Sequence, residues 1–337
     1  MLAIVAAALA TVPILPLPAE ADRQMIADAQ AIVRMSGDRV WEGLSQTPLP
    51  ILLIGAERET LFCGSPSVGF FPAAFDPVTN CSMQTRPREL PVDLSSATYL
   101  DDRQVIMMGE PAALETSRAE WIVIVLHEAF HQYQNELPGY VAAVDRVREF
   151  FGEADGQWML EYPFPYADAE VGKTFAKMMA NALRFLEATN SSDQNAAISD
   201  YVDARRDAQR AAGSKNWTYF EFQAGQEGVA RWSEQKLGAL AAASDPSISA
   251  VAEDGRLGLA TSLRAIDRDG LGMWKRNAFY VLGAIEAEML QQTDPGWQRQ
   301  YANAPFSMGS MIEKAGAKKE PNPVSRKIFQ SVTVSPN

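Results

Sequence analysis

Histidine is almost missing from this 337-residue chain: there are two, and they stand four positions apart. Whatever imidazole chemistry the protein performs must use that pair, and a third histidine ligand for a metal is excluded. Cysteine is equally sparse, with only Cys63 and Cys81. Two thiols without a neighbouring histidine make a poor metal site or nucleophile. Positive charge is also short, with 30 Lys and Arg against 42 Asp and Glu and a formal net charge of −12. No basic cluster relieves it, so a nucleic-acid partner is excluded by repulsion from the phosphate backbone. Repeats and low-complexity stretches are absent. Hydrophobic residues at 47% and charged residues at 21% describe an ordinary globular chain, not a disordered one.

What is present begins with an apolar stretch from Leu2 to Leu17, closed by Ala19-Glu20-Ala21. Small residues at that point suit a signal peptidase, which predicts a signal peptide over 1–21 with cleavage near Ala21 and export to the periplasm or exterior. No Lys or Arg precedes the stretch. Pro13, Pro16 and Pro18 interrupt it, and it falls short of the roughly 20 apolar residues a spanning helix needs. No stable membrane span is expected once the signal is gone. In an exported protein, Cys63 and Cys81 flanking "CGSPSVGFFPAAFDPVTNC" are expected to form a disulfide; the alternative is two unpaired buried thiols.

The mature chain opens with helical spacing in "DRQMIADAQAIVRMSGDRVWEGL". "PILLIGAERETLFC" has the pattern of a β-hairpin, and "RQVIMMG", Arg103 to Gly109, that of a strand. Ser117 with Glu120 three residues on is a capping box that starts a helix at about Arg118, and Pro138-Gly139 ends it. Trp121 to Leu126 are apolar on every side, so this helix is expected to be buried. From Gly139 onward the pattern is almost wholly helical. The fold class expected is α+β, mostly helical: a small β-containing lobe over 22–140, a helical lobe over 141–320 and a tail over 321–337. "IFQSVTV" within that tail could add an edge strand.

His127-Glu128-Ala129-Phe130-His131 lies on the capped helix. Residues four apart share a helix face, with Cβ atoms about 6 Å apart. Two imidazole nitrogens can then converge on one Zn²⁺. Glu128, one residue round the helix, is placed to take a proton from a water at the metal. Burying two imidazoles and a carboxylate together is costly without a cation.

A catalytic zinc site needs a third protein ligand and an open position. With histidine exhausted and the cysteines expected to be paired, that ligand must be Asp or Glu. Glu227 in "AGQEGVARWSE" is the leading candidate and Glu221 its competitor. Gly225 and Gly228 beside Glu227 cost a helix interior about 1 kcal/mol each, which makes sense where another helix has to come close. A bland alternative pairs Glu227 with Arg231 one turn on.

An H-E-x-x-H helix followed by a helix carrying Glu-Gly-x-Ala resembles the zincin metallopeptidases, specifically the glutamate-liganded gluzincin type, and is similar to exported bacterial proteins of that kind. The resemblance covers residues 117–135 and 219–237, with a looser likeness over "FYVLGAIEAEMLQQTDPGW". It implies a zincin-like core, Zn²⁺ on His127, His131 and Glu227, Glu128 as general base, and a peptide or protein substrate. It also implies a group that stabilises the oxyanion, for which Tyr280 is the first choice and Tyr219 the second. Arg231 and Arg276 could clamp a substrate carboxylate or hold Glu227. Two other functions stay open: a zinc hydrolase of a non-peptide amide or ester, and a non-catalytic helical binding protein on a zincin scaffold.

Overall fold

A computed structural model describes residues 17–152, 156–253 and 258–317. Most of the expected signal segment, residues 1–16, lies outside the described residues, as do the tail and "IFQSVTV". Ala21 falls in the first turn of the first helix. Among the described residues no helix is long and apolar enough to cross a membrane.

Six strands form one mixed sheet: β1 (Ile51–Ile54), β2 (Arg58–Phe62), β3 (Phe71–Asp76), β4 (Cys81–Pro87), β5 (Ser95–Leu100) and β6 (Arg103–Gly109). Their order is β3-β4-β2-β1-β6-β5. β1 pairs parallel with β6 and every other pairing is antiparallel. Sequence and position agree: central β1, "ILLI", is buried at all four residues, whereas edge strand β5 has no fully buried residue. Leu52, Ile54, Leu61, Val105 and Met107 form the apolar cluster of one sheet face.

The helices are α1 (Glu20–Val40), α2 (Arg118–Glu136), α3 (Tyr140–Phe151), α4 (Gln157–Glu161), α5 (Ala169–Glu187), α6 (Ser191–Ala212) and α7 (Ser214–Gln223). A π-helical turn, Ala224–Gly228, leads into α8 (Val229–Leu240). Then follow α9 (Pro246–Glu253), α10 (Leu259–Asp269), α11 (Leu271–Trp274), α12 (Asn277–Thr293), α13 (Trp297–Asn303) and α14 (Met308–Ala317). The mostly helical α+β class expected from the sequence is the one observed.

Two compact units divide the described chain. The first takes residues up to Ala31 and Pro48–Ile122, and so holds the whole sheet. The second takes Ile32–Thr47 and everything from Val123 onward. The first unit also holds the Cys63–Cys81 disulfide, which joins the end of β2 to the start of β4. That bond fits an oxidising compartment. The loop it closes is not wholly irregular, because β3 runs through it. In the second unit α12 is buried along most of its length, from Ala278 to Leu290. α2 ends as expected before Pro138-Gly139, where Gly139 adopts φ 81°, a left-handed conformation that favours glycine.

Candidate metal centre

The cap of α2 is the one its sequence encodes. Glu120 N–H donates to Ser117 Oγ at 3.2 Å, and Ser117 N–H donates to Glu120 Oε2 at 2.9 Å. Beyond it Trp121, Ile122, Val123, Val125, Leu126, Ala129 and Phe130 are fully buried. Apolar packing on those positions fixes the helix rotation, and His127 and His131 share the face that remains. All the site residues described below belong to the second unit.

Glu227 reaches the histidines from the π turn. An inserted residue of this kind re-aims the side chains around it, and such turns recur at functional sites. Its glycines permit close approach, as their placement suggested, but the partner backbones are not those of α2. A Cβ on Gly228 would lie 2.5 Å from Gly283 Cα in α12, and one on Gly225 would lie 2.4 Å from the Pro305 carbonyl oxygen. The turn is thereby wedged between α12 and the loop before α14, with Glu227 facing the histidine pair.

The three ligand atoms form a compact triangle. His127 Nε2 and His131 Nε2 are 3.0 Å apart, and each lies 3.3 Å from Glu227 Oε2. Tetrahedral coordination with bonds of roughly 2.0–2.1 Å places neighbouring donors about 3.4 Å apart. The triangle thus has the dimensions of three corners of such a site.

Hydrogen bonds behind the rings settle which nitrogens face inward. His127 Nδ1 lies 2.7 Å from Glu234 Oε2, and a carboxylate oxygen can only accept, so Nδ1 carries the proton. His131 Nδ1 lies 2.7 Å from Gln134 Oε1. The amide cannot be turned round: its Nε2 donates to the Gln226 carbonyl at 3.0 Å and to the Tyr301 hydroxyl at 2.6 Å. Tyr301 in turn spends its proton on the Gly225 carbonyl at 2.8 Å. Both Nδ1 atoms are therefore donors, and both neutral rings point an Nε2 lone pair at the other ring and at the carboxylate. Three acceptors meet with no donor among them. A cation resolves that frustration, whether a metal ion or a proton.

The electrostatics agree. Burial alone would lower the His127 pKa, but Glu227 and Glu234 outweigh it and hold it well above the ordinary value. Burial likewise opposes, and Glu227 overcomes, in raising His131. Burial would raise the Glu227 pKa, yet the two histidines depress it below the usual carboxylate range. The His127, His131 and Glu227 side chains keep 15%, 14% and 16% exposure, so the group is mostly but not wholly shielded from solvent. Glu128 is buried, and its charge contributes to raising both histidines, which places it beside the pair.

The other candidates fall in different places. Glu221 is not at the triangle: its Oε1 accepts from Arg205 at 2.6 Å and from Trp217 Nε1 at 3.1 Å. Arg231 donates to Ser262 Oγ at 2.9 Å. Tyr219 donates to the Met159 carbonyl at 2.8 Å, which commits its proton. Tyr280 accepts from Arg276 Nε at 3.2 Å, and Arg276 also donates to the Leu160 carbonyl. Burial, then the Glu227 charge, push the Tyr280 pKa up, so the hydroxyl keeps its proton. Glu234 and Gln134 were not singled out in the sequence, although Glu234 stands two turns after Glu227 and Gln134 one turn after His131.

Comparison with protein-family models, with characterised proteins and with solved structures gives no match. Taken on its own geometry, the cluster of His127, His131 and Glu227 can hold one metal ion.

Proposed function

We propose that this protein is an exported, zinc-dependent peptidase of the glutamate-liganded zincin type. The observation that carries the proposal is the convergence of three acceptors on one point, with both histidine tautomers fixed from behind and a buried carboxylate on the next residue of the helix. Two neutral imidazoles and one carboxylate, partly exposed, are a donor set suited to catalytic zinc. Bound there, the ion would supply Lewis acidity to a water and to a substrate carbonyl. The disulfide and the apolar start of the sequence support export.

The chain's own groups divide the remaining work. Glu234 and Gln134 hold a proton on each Nδ1 and so turn each Nε2 toward the metal position. Glu128 accepts a proton from the attacking water on a carboxylate oxygen and returns it to the leaving nitrogen. Tyr280 accepts from Arg276 at its oxygen, which leaves its own O–H proton to donate to the oxyanion.

Two variants test the proposal. Wild-type protein is expected to carry one equivalent of zinc and His127→Ala to lose it, as read by elemental analysis. Glu128→Gln should retain zinc while peptide cleavage falls by about 10²-fold or more. Unchanged turnover in Glu128→Gln would reject the base assignment, and zinc-free wild type that still cleaves would reject the site.

A further inference from the structure

A second concavity in the helical unit has no part in the metal centre. It measures about 300 Å³ and lies between the end of α1, the C-terminal half of α8, α12 and α13. Its apolar lining comes from Val40, Ala239, Leu240 and the Trp232 ring. The Trp232 Nε1–H is already committed to Glu288 Oε2 at 2.7 Å, and the indole is 3% exposed with the Lys236 ammonium 5.6 Å from its ring centroid, so it contributes a narrow hydrocarbon edge. That volume is at the small end of the range that holds organic ligands.

The polar groups around that lining are unevenly matched. Lys236 is neutralised by Glu288 at 2.7 Å. Arg39 also lines the pocket and, among the described residues, has no hydrogen-bonding or ionic partner. Gln291 accepts at Oε1 from Trp297 Nε1 and from Gln298 Nε2, both at 3.1 Å. With its oxygen occupied from two sides, Gln291 presents amide N–H donors. No acidic residue lines the pocket. Arg39 is exposed at the rim, and with no carboxylate on the lining an anion seated over the apolar floor would meet that guanidinium first.

We propose that this pocket binds a small carboxylate with an apolar body, about the size of one aromatic ring. The carboxylate pairs with Arg39 and takes a hydrogen bond from Gln291, while the ring lies against Trp232, Val40 and Leu240. The site is separate from the metal ligands and does not depend on the peptidase proposal.

Titration calorimetry with 3-phenylpropanoate tests it, with 3-phenylpropanamide and acetate as the two controls. The carboxylate should bind saturably with Kd on the order of 1 mM, as expected for so few atoms. The amide, which lacks the charge, and acetate, which lacks the ring, should each bind at least tenfold more weakly. Arg39→Gln should weaken the carboxylate at least tenfold without affecting the amide. Ala239→Trp, which fills the cavity, should remove binding. His127→Ala should change nothing. The proposal is overturned if the carboxylate shows no saturable binding, if Arg39→Gln leaves its affinity unchanged, or if His127→Ala abolishes it, since that last result would place the ligand at the metal centre.

Discussion

Two ring nitrogens that would never touch a metal, Nδ1 of His127 and Nδ1 of His131, decide what the opposite nitrogens can bind. Removing the acceptor behind either ring frees it to swap tautomers and rotate. Gln134→Leu and Glu234→Ala are each expected to weaken zinc 10- to 100-fold, the usual effect of losing such a partner. Competition against a chromophoric chelator measures this, and a Gln134→Leu protein that binds as tightly as wild type refutes the tautomer argument. The same geometry fixes a pH dependence. The folded-state pKa of both histidines is raised above 6.5, so in the metal-free protein a proton occupies the triangle to higher pH than an ordinary histidine would allow. A metal ion would have to displace it. Apparent affinity should therefore begin to fall above pH 6.5 and keep falling as the medium becomes more acid, by up to about tenfold per pH unit for each proton released. An affinity flat from pH 8 to pH 5 contradicts this. His127 and His131 were legible in the sequence because their spacing is a pattern. Glu227 was legible through its glycines. Gln134 and Glu234 were not, because an amide or carboxylate on a helix reads the same whether it backs a ligand or faces water.

At the scale of elements, the π turn is what brings a carboxylate from the α7–α8 helical run to α2. It holds its place only because two glycines face each other: a Cβ on Gly283 would lie 2.4 Å from the Ala224 carbonyl oxygen, and one on Gly228 would meet the Gly283 backbone. Neither neighbour is a flexible side chain that could step aside. Gly228→Ala should destabilise the protein by about 1–3 kcal/mol and also weaken zinc, because relief of the clash displaces Glu227. Gly172 in α5 is the control: nothing lies within 4 Å of a Cβ there, so Gly172→Ala should stabilise by up to about 1 kcal/mol and leave zinc affinity alone. Thermal melts and chelator competition on both variants separate the two effects. Element existence followed the sequence where local signals agreed, as in capped α2, the β1–β2 hairpin and β6. It failed for β3, where Gly and Pro in "CGSPSVGFFPAAFDP" read as turn, and for β4 and half-exposed β5, which lack a clear apolar alternation. A π turn shows only as a shift of about 100° between the apolar faces before and after it, which segments as short as α7 and α8 do not make legible.

Across the whole molecule, the covalent staple and the metal triangle fall in different compact units, and this separates two sources of stability that would otherwise be measured together. Cys63–Cys81 closes a loop of 18 positions. In the chain-entropy description, a loop of that size stabilises by about 3 kcal/mol through restriction of the unfolded chain. A metal ion at the triangle would act instead by binding only the folded site, which contributes about 2.7 kcal/mol when free metal is a hundredfold above Kd. A protein with two units need not unfold in one step. Scanning calorimetry is therefore expected to show that paired Cys63→Ala and Cys81→Ala substitutions lower the transition carried by the sheet, while zinc raises the transition carried by the helices. Zinc affinity in the paired variant should match wild type, because no ligand and none of the groups behind the ligands belongs to the disulfide-bearing unit. A large loss of affinity in that variant would mean that the triangle depends on the sheet after all, and the metal centre could no longer be treated as a property of the helical unit alone.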